Sequence, residues 1–279
     1  MKHLLIAFPL LVAGPVAYAA DAIVEPMPME VAPVVSYGWG GLYFGGQIGA
    51  GFGDTGVFEM DRNQDGSFGD YIAAFDPTQP VCTIPVNDGC GFGGDFDTGV
   101  TGGVHIGYDW QFGSIVAGVI ADVNASNIGD RQSAFSGTPA FYHIDRDLKW
   151  WGTARARLGY AFSDRFMGYA TGGLALGKVD YSFKSNTPAT TIVSGDDNLD
   201  VGYTVGGGAE FRINEKWSIG AEYLYTNLGK DDFNVNLSGA PGSGAGNAFG
   251  TGGADSTNAR GSDRDFDFHT VQVKLSYRY

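Results

Sequence analysis

From residue 40 onward the chain alternates apolar and polar positions with the two-residue period of a β-strand, and helical periodicity is absent. The stretch WWGTARARLGYAF is the sharpest case. Ala154, Ala156, Leu158, Tyr160 and Phe162 fall on one face, and Arg155 and Arg157 on the other. GLYFGGQIGAGFG sets Phe44, Ile48, Ala50 and Phe52 against Tyr43 and Gln47. GVTGGVHIGYDW sets Val100, Val104, Ile106, Tyr108 and Trp110 against Thr101, His105 and Asp109. IVAGVIADVN sets Ala117, Val119, Ala121 and Val123 against Gly118, Asp122 and Asn124. RFMGYATGGLALG leaves its register open, with Leu174 and Leu176 marking an apolar face. VGYTVGGGAEFRI opposes Tyr203, Val205, Ala209 and Phe211 to Thr204, Glu210 and Arg212. WSIGAEYLYTNLG opposes Trp217, Ile219, Ala221, Tyr223 and Tyr225 to Ser218 and Glu222. HTVQVKLSYRY opposes Val271, Val273, Leu275, Tyr277 and Tyr279 to Gln272, Lys274 and Arg278.

These eight predicted strands are joined alternately by short turns (QFGS, SDR, NEK) and long polar segments, the longest over about 54–97 and 229–265. Short turns on one side and long loops on the other are the pattern of a transmembrane β-barrel. A soluble sandwich also alternates, but it does not place charge opposite an aliphatic, aromatic-flanked face on every strand. Trp110, Phe162, Trp217 and Tyr279 fall at strand ends beside the short turns, where an interfacial girdle belongs. The predicted fold is all-β: an eight-stranded antiparallel transmembrane barrel with long extracellular loops, occupying 39–279.

Composition agrees. The 279 residues include 45 Gly, 19 Phe, 14 Tyr and 5 Trp, richer in Gly and aromatics than a soluble domain. The net charge of −14 and the lack of a basic stripe exclude a nucleic-acid partner. MKHLLIAFPLLVAGPVAYAA reads as a secretory signal peptide over 1–19, with Ala17-Tyr18-Ala19 as the cleavage site; it is too short to span a membrane. Residues 20–38, with Pro26, Pro28 and Pro33, read as an extended tether. Cys82 and Cys90, in an exported chain, are expected to form a disulfide.

Together, WGGLYFGGQIGAGFG, WWGTARARLGYAFSDRFMGYATGGLALGKVDY, VGYTVGGGAEFRINEKWSIGAEYLYTNLG and the terminal HTVQVKLSYRY resemble the small outer-membrane immunogenic proteins of alphaproteobacteria, barrels related in fold to OmpA and OmpX. That family commonly ends in Phe, whereas this chain ends in Tyr279. The resemblance covers the strands and not the long loops. It implies an outer-membrane location, short turns and both termini in the periplasm, surrounding outer-membrane lipid, and recognition of the last strand by the barrel-assembly machinery.

Eight strands enclose an interior just wide enough for side chains to fill, which disfavours a wide pore. By parity Asp122, Arg155, Arg157, Glu210, Glu222 and Lys274 all point inward. Charges of both signs in so narrow a space are expected to pair, since an unpartnered buried charge is costly. The alternative is a narrow, gated ion path.

No catalysis is expected. Some eight-stranded outer-membrane barrels hydrolyse lipid acyl chains with a Ser–His pair and a carboxylate, but here His105 faces inward, His143 lies in an expected loop and His269 has no evident Ser partner. Tyr142 and His143 are the residues that a hemin-binding role would use, on a weak signal. DRNQDGSFGD, Asp61 to Asp70, starts like a calcium loop, with oxygens at Asp61, Asn63 and Asp65 and the turn at Gly66. Position twelve is Ile72 rather than a bidentate Glu, so the stretch reads as an Asx-rich turn before it reads as a weak metal site. No cofactor or metal is expected. The expected role is structural, maintaining the outer membrane and presenting loops; a narrow porin-like channel, or a surface protein binding hemin or a host ligand, is the alternative.

Overall fold

The computed structural model describes residues 38–70, 75–76, 90–137, 140–187, 199–230, 232–238, 249 and 256–279, and the backbone of 190–194. The chain divides into units 1–35 and 36–279, and every described residue belongs to the second. The signal-peptide segment, nearly all of the tether, Ile72 and Cys82 therefore lie outside the described residues.

The described residues contain thirteen strands: β1 (Gly41–Phe52), β2 (Phe58–Asp61), β3 (Gly91–Asp97), β4 (Gly99–Phe112), β5 (Ile115–Ser136), β6 (Ala140–Ala161), β7 (Phe166–Ser185), β8 (Thr190–Ser194), β9 (Asp200–Arg212), β10 (Trp217–Lys230), β11 (Asn234–Ser238), β12 (Ser256–Gly261) and β13 (Asp265–Arg278). Eight of them close a ring. Antiparallel ladders run β1–β4–β5–β6–β7–β9–β10–β13, and β13 returns to β1 from Tyr43↔Arg278 to Phe52↔His269. Closure leaves the ring without an open edge.

The strands are inside-out relative to a soluble protein. Ile48, Val104, Leu158 and Leu174 are each 60–64% exposed on the outer face, while Arg155, Glu222 and Lys274 are 2–4% exposed inside. The parity read from the sequence holds on the seven strands where it was assigned. On β7, whose register the sequence left open, Leu174 and Leu176 face out and Met167, Tyr169 and Ala175 face in. The turns after β4, β6 and β9 are short, closed for example by Phe162 N–H to the Phe166 carbonyl and Ile213 N–H to the Trp217 carbonyl.

The opposite end corrects the expectation of plain loops. β5 and β6 have 22 residues each and β7 has 20. A tilted crossing needs only about 9–11, so these strands project beyond the apolar belt. Register shifts at Ala125/Ile128 in β5 and Leu148/Trp150 in β6 mark the passage, as bulges do at barrel rims. β3 extends the projecting sheet against β5, from Gly91↔Phe135 to Asp97↔Gly129. A second, four-stranded sheet, β2–β12–β11–β8, is assembled from segments far apart in sequence. It meets the projecting strands over an apolar layer that includes Phe58, Met60, Ala134, Tyr142, Ile144 and Leu237. The two longest segments, with β8 from the segment between β7 and β9, thus supply a folded cap. Its strands are short, four to seven residues, and a period of two is barely legible over such lengths.

Candidate functional site

The barrel interior is filled in layers. At the short-turn end, Trp39 is fully buried beside Val116, Met167 and Tyr169. The Arg212 guanidinium lies 4.9 Å from its ring centroid, and Arg278 donates to its carbonyl. Above it, Arg157 Nη2 donates to Glu210 Oε2 at 2.6 Å, and Ser218 Oγ donates to Glu210 Oε1 at 2.6 Å. Arg278 Nη2 donates to Asp109 Oδ2 at 3.1 Å and stands 3.6 Å from Glu210. The Arg157 guanidinium also covers the Tyr169 ring at 4.0 Å.

The next layer holds the remaining predicted charges. Arg155 Nη2 donates to Asp122 Oδ2 at 2.7 Å, and Arg155 Nη1 is 3.2 Å from Glu222 Oε1. Lys274 Nζ donates to the same Glu222 oxygen at 3.2 Å, and Tyr169 OH donates to the other at 2.9 Å. Asp122 also accepts from Thr153 Oγ1 at 2.6 Å and from Asn124 Nδ2 at 2.8 Å. Beside this layer, directly opposite Asp122 in the β4–β5 ladder, His105 bridges Gln47 Oε1 at 2.8 Å and Ser276 Oγ at 2.9 Å. At the far end Ile128, Leu148, Trp151, Leu224, Phe266 and Phe268 form a fully apolar layer.

The six charged residues expected inside are therefore all buried and brought together, in two adjoining groups. Sequence reasoning did not join Asp109 and Arg278 to them, although the same parity turns both inward. Tyr169 escaped because the register of its strand was open. Trp39 precedes β1 and has no periodicity to reveal it.

The other candidates take ordinary places. His143 is a correction: it lies on β6, not in a loop, and its Nδ1 pairs with Ser133 Oγ at 2.8 Å. The nearby carboxylate, Asp145, is engaged by Arg131 at 2.5 Å and Lys184 at 2.6 Å. Tyr142 points the opposite way from His143, into the apolar layer of the cap. Adjacent strand residues face opposite sides, so this pair cannot reach one iron. His269 stacks on Phe52 and bonds Tyr223 OH at 2.6 Å. In the Asp61–Asp70 loop the oxygens serve their own backbone. Asp61 accepts from Asp65 and Gly66 N–H at 3.1 and 2.9 Å, and Asp65 accepts from Ser67 N–H at 2.8 Å. Gly66 and Gly69, at φ 87° and 104°, supply the left-handed turns. Of the expected bridge, Cys90 directly precedes β3, while Cys82 is outside the described residues.

The Arg131–Asp145–Lys184 group fixes the register of the projecting β5, β6 and β7. Burial raises the Asp145 carboxyl, but the bonds and charges of Arg131 and Lys184 outweigh it and leave the group below the usual carboxylate range. A lowered acid stabilises the fold above its unfolded value near 4 and loses that contribution as pH falls through the folded one. Protection factors of the amides in the upper halves of β5–β7, taken against the intrinsic exchange rate at each pH, should therefore fall between pH 5 and pH 3. The fall should be smaller in Asp145→Asn, whose protection at neutral pH is already lower.

The comparisons with known proteins agree with this architecture. Residues 10–279 match the family model of the outer membrane protein beta-barrel domain. The 31 kDa outer-membrane immunogenic protein of Brucella melitensis is 32% identical over 285 aligned positions, covering 100% of both chains. The chain belongs to the outer-membrane β-barrel family. A 22 kDa outer membrane protein of Rhizobium leguminosarum is 34% identical over 145 residues, 52% of this chain and 60% of that one. The crystal structure of OprG from Pseudomonas aeruginosa shares the fold, with a TM-score of 0.50 at 12% identity, covering 88% of this chain and 98% of that one. The outer membrane is thus the location of this barrel. Its apolar outer belt is the surface that meets lipid, and the cap at the long-loop end faces outward from the cell, as in barrels of this architecture.

Proposed function

We propose that the protein is a structural component of the outer membrane: a non-conducting barrel that anchors in lipid and holds a folded β-cap at the cell surface. One observation carries this reading. The interior is occupied along its length, by Trp39 at the periplasmic end, by two ion-pair layers in the middle and by an apolar layer under the cap. An eight-stranded interior has little room beyond its own side chains. The partners that fit are the surrounding lipid and the machinery that inserts such barrels.

Planar-bilayer recording of the folded protein should show no steady unitary conductance above baseline across ±100 mV. Reproducible open steps that vanish when Arg155 or Glu222 is replaced would instead establish the narrow channel, with the ion-pair layers as its path.

A further inference from the structure

The outward face of the projecting sheet carries a half-open cleft of about 600 Å³, within the roughly 300–1,000 Å³ of ligand pockets. Three cross-strand rows of β3, β5 and β6 build it. Gly91, Phe135 and Phe141 form the first, Gly93, Ser133 and His143 the second, and Asp95, Arg131 and Asp145 the third. Residues directly opposed in a ladder share a face, here the one turned away from the apolar layer of the cap. Phe141 stacks on His143 at 4.6 Å, and Phe135 meets the same ring edge-on at 5.5 Å. On the β3 side the first two rows end in glycine, so this aromatic wall has nothing facing it. A Cβ built on Gly93 meets no atom within 4 Å.

β3 is also the terminal strand of its sheet. Among the described residues it pairs with β5 alone, from Gly91↔Phe135 to Asp97↔Gly129. Its other edge presents N–H and C=O groups outside any ladder, a template for a further strand. An added strand lies about 4.8 Å beyond β3. Its side chains can lean across Gly91 and Gly93 onto Phe135 and Phe141, as aromatic neighbours cover edge glycines.

Charge decides which strand fits. Arg131 and Lys184 both serve Asp145, at 2.5 and 2.6 Å, and Lys149 stands 3.6 Å from Asp147. Lys178 and Asp180 of β7 add one charge of each sign to the same face. Asp95 and Asp97, at the open edge, are exposed and in no ion pair among the described residues, and they leave the face with one acid in excess. The β3 of a second copy would bring two more carboxylates to this edge, which like-charge repulsion opposes. Basic side chains gain there instead. Main-chain pairing at an edge supplies affinity, and the alternate side chains supply specificity. We propose that the edge of β3 takes up an extended cationic peptide as an added strand, with two apolar side chains over Gly91 and Gly93 and a Lys or Arg beside Asp95.

The test is a fluorescence-anisotropy titration of the folded full-length protein with labelled decapeptides. The first carries Phe, Phe and Lys at successive alternate positions in a Thr background. The second has Glu in place of Lys, and the third has the composition of the first with the alternation broken. The expected result is saturable binding of the first peptide, at least tenfold tighter than either of the others and weakening as salt rises. Gly93→Val fills the cleft at a position where a side chain has open space, and Asp95→Asn removes the charge. Each should weaken the first peptide tenfold or more while the barrel keeps its heat-modifiable mobility. Asp95→Asn should also narrow the gap between the Lys and Glu peptides. No saturable binding, equal or tighter binding of the second or third peptide, or binding unchanged in both variants would each overturn the proposal. Self-association of the protein that the first peptide does not reverse would give the edge to a second copy, and would overturn it as well.

Discussion

Replacing Arg155 by Leu should cost the barrel about 3 kcal/mol, and adding Asp122→Asn should return a large part of it. Breaking a buried ion pair by removing one partner typically costs about 3–5 kcal/mol, because the other charge is left unpaired in a poor solvent. Arg155 has two acidic neighbours, and they do not suffer equally. Glu222 keeps Lys274 at 3.2 Å and the Tyr169 hydroxyl at 2.9 Å. The cation that Asp122 meets is Arg155, at 2.7 Å; its other bonds come from the neutral Thr153 and Asn124. Those two neutral donors place the expected cost at the lower end of the range. They also fit the rescue, since an uncharged Asn at 122 still accepts from Asn124 through its one amide oxygen and presents its NH2 to the Thr153 hydroxyl, which can accept. Urea unfolding of both variants in lipid vesicles decides the matter. A double variant no more stable than the single would show that Arg155 contributes packing and not charge compensation.

The inward placement of these charges was legible because each barrel strand separates two very different environments. In TARARLG the alternation is between lipid and a filled interior, and no sliding of the strand by one residue preserves it. Partnership was not legible. Arg157 of β6 reaches Glu210 of β9 across the intervening β7, a meeting that depends on the stagger of three strands. Parity says only that both point inward. Asp109 and Arg278 show the same limit: both were assigned to the inner face, yet nothing in the sequence joined them to each other at 3.1 Å.

The cap was hidden for a different reason. Val235 and Leu237, and Thr257 and Ala259, do alternate, each pair buried with its flanking residues more open, and in β2 Phe58 and Met60 are buried about a more open Glu59 although Asp61 beyond them is buried too. Each run is short, and its partners come from distant parts of the chain, as in Arg260↔Glu59 and Val235↔Ala259. The bulges in β5 and β6 add to this, because they break the ladder where the strands leave the apolar belt. Beyond them both faces of β5 become polar or closed: Asp130, Gln132 and Ser133 are all buried. An alternation rule tuned to a lipid face finds no contrast there, so His143 was taken for a loop residue.

A charge on the outer face of the same strand should behave unlike one inside. Ala156 lies between Arg155 and Arg157 and points the other way, exposed, opposite Val119 of β5 and Gly172 of β7. It sits mid-way between Trp151, at the apolar layer under the cap, and Ala161, at the periplasmic end. Arg placed on the lipid face of a barrel costs about 2–4 kcal/mol at the midplane and about 0–1 near the interfaces. Ala156→Arg should therefore destabilise by about 2–4 kcal/mol, and Ser114→Arg, in the exposed turn between β4 and β5, by about 0–1. The loss at 156 should add to that of Asp122→Asn without coupling, because the new guanidinium is on the far side of the strand from the acids. Unfolding of the three single variants and of the Ala156→Arg/Asp122→Asn double variant in vesicles of one lipid composition tests all three statements together. Equal costs at 156 and 114 would mean that β6 does not cross the membrane at this depth. Rescue of Ala156→Arg through the interior acids would mean that its faces have been exchanged.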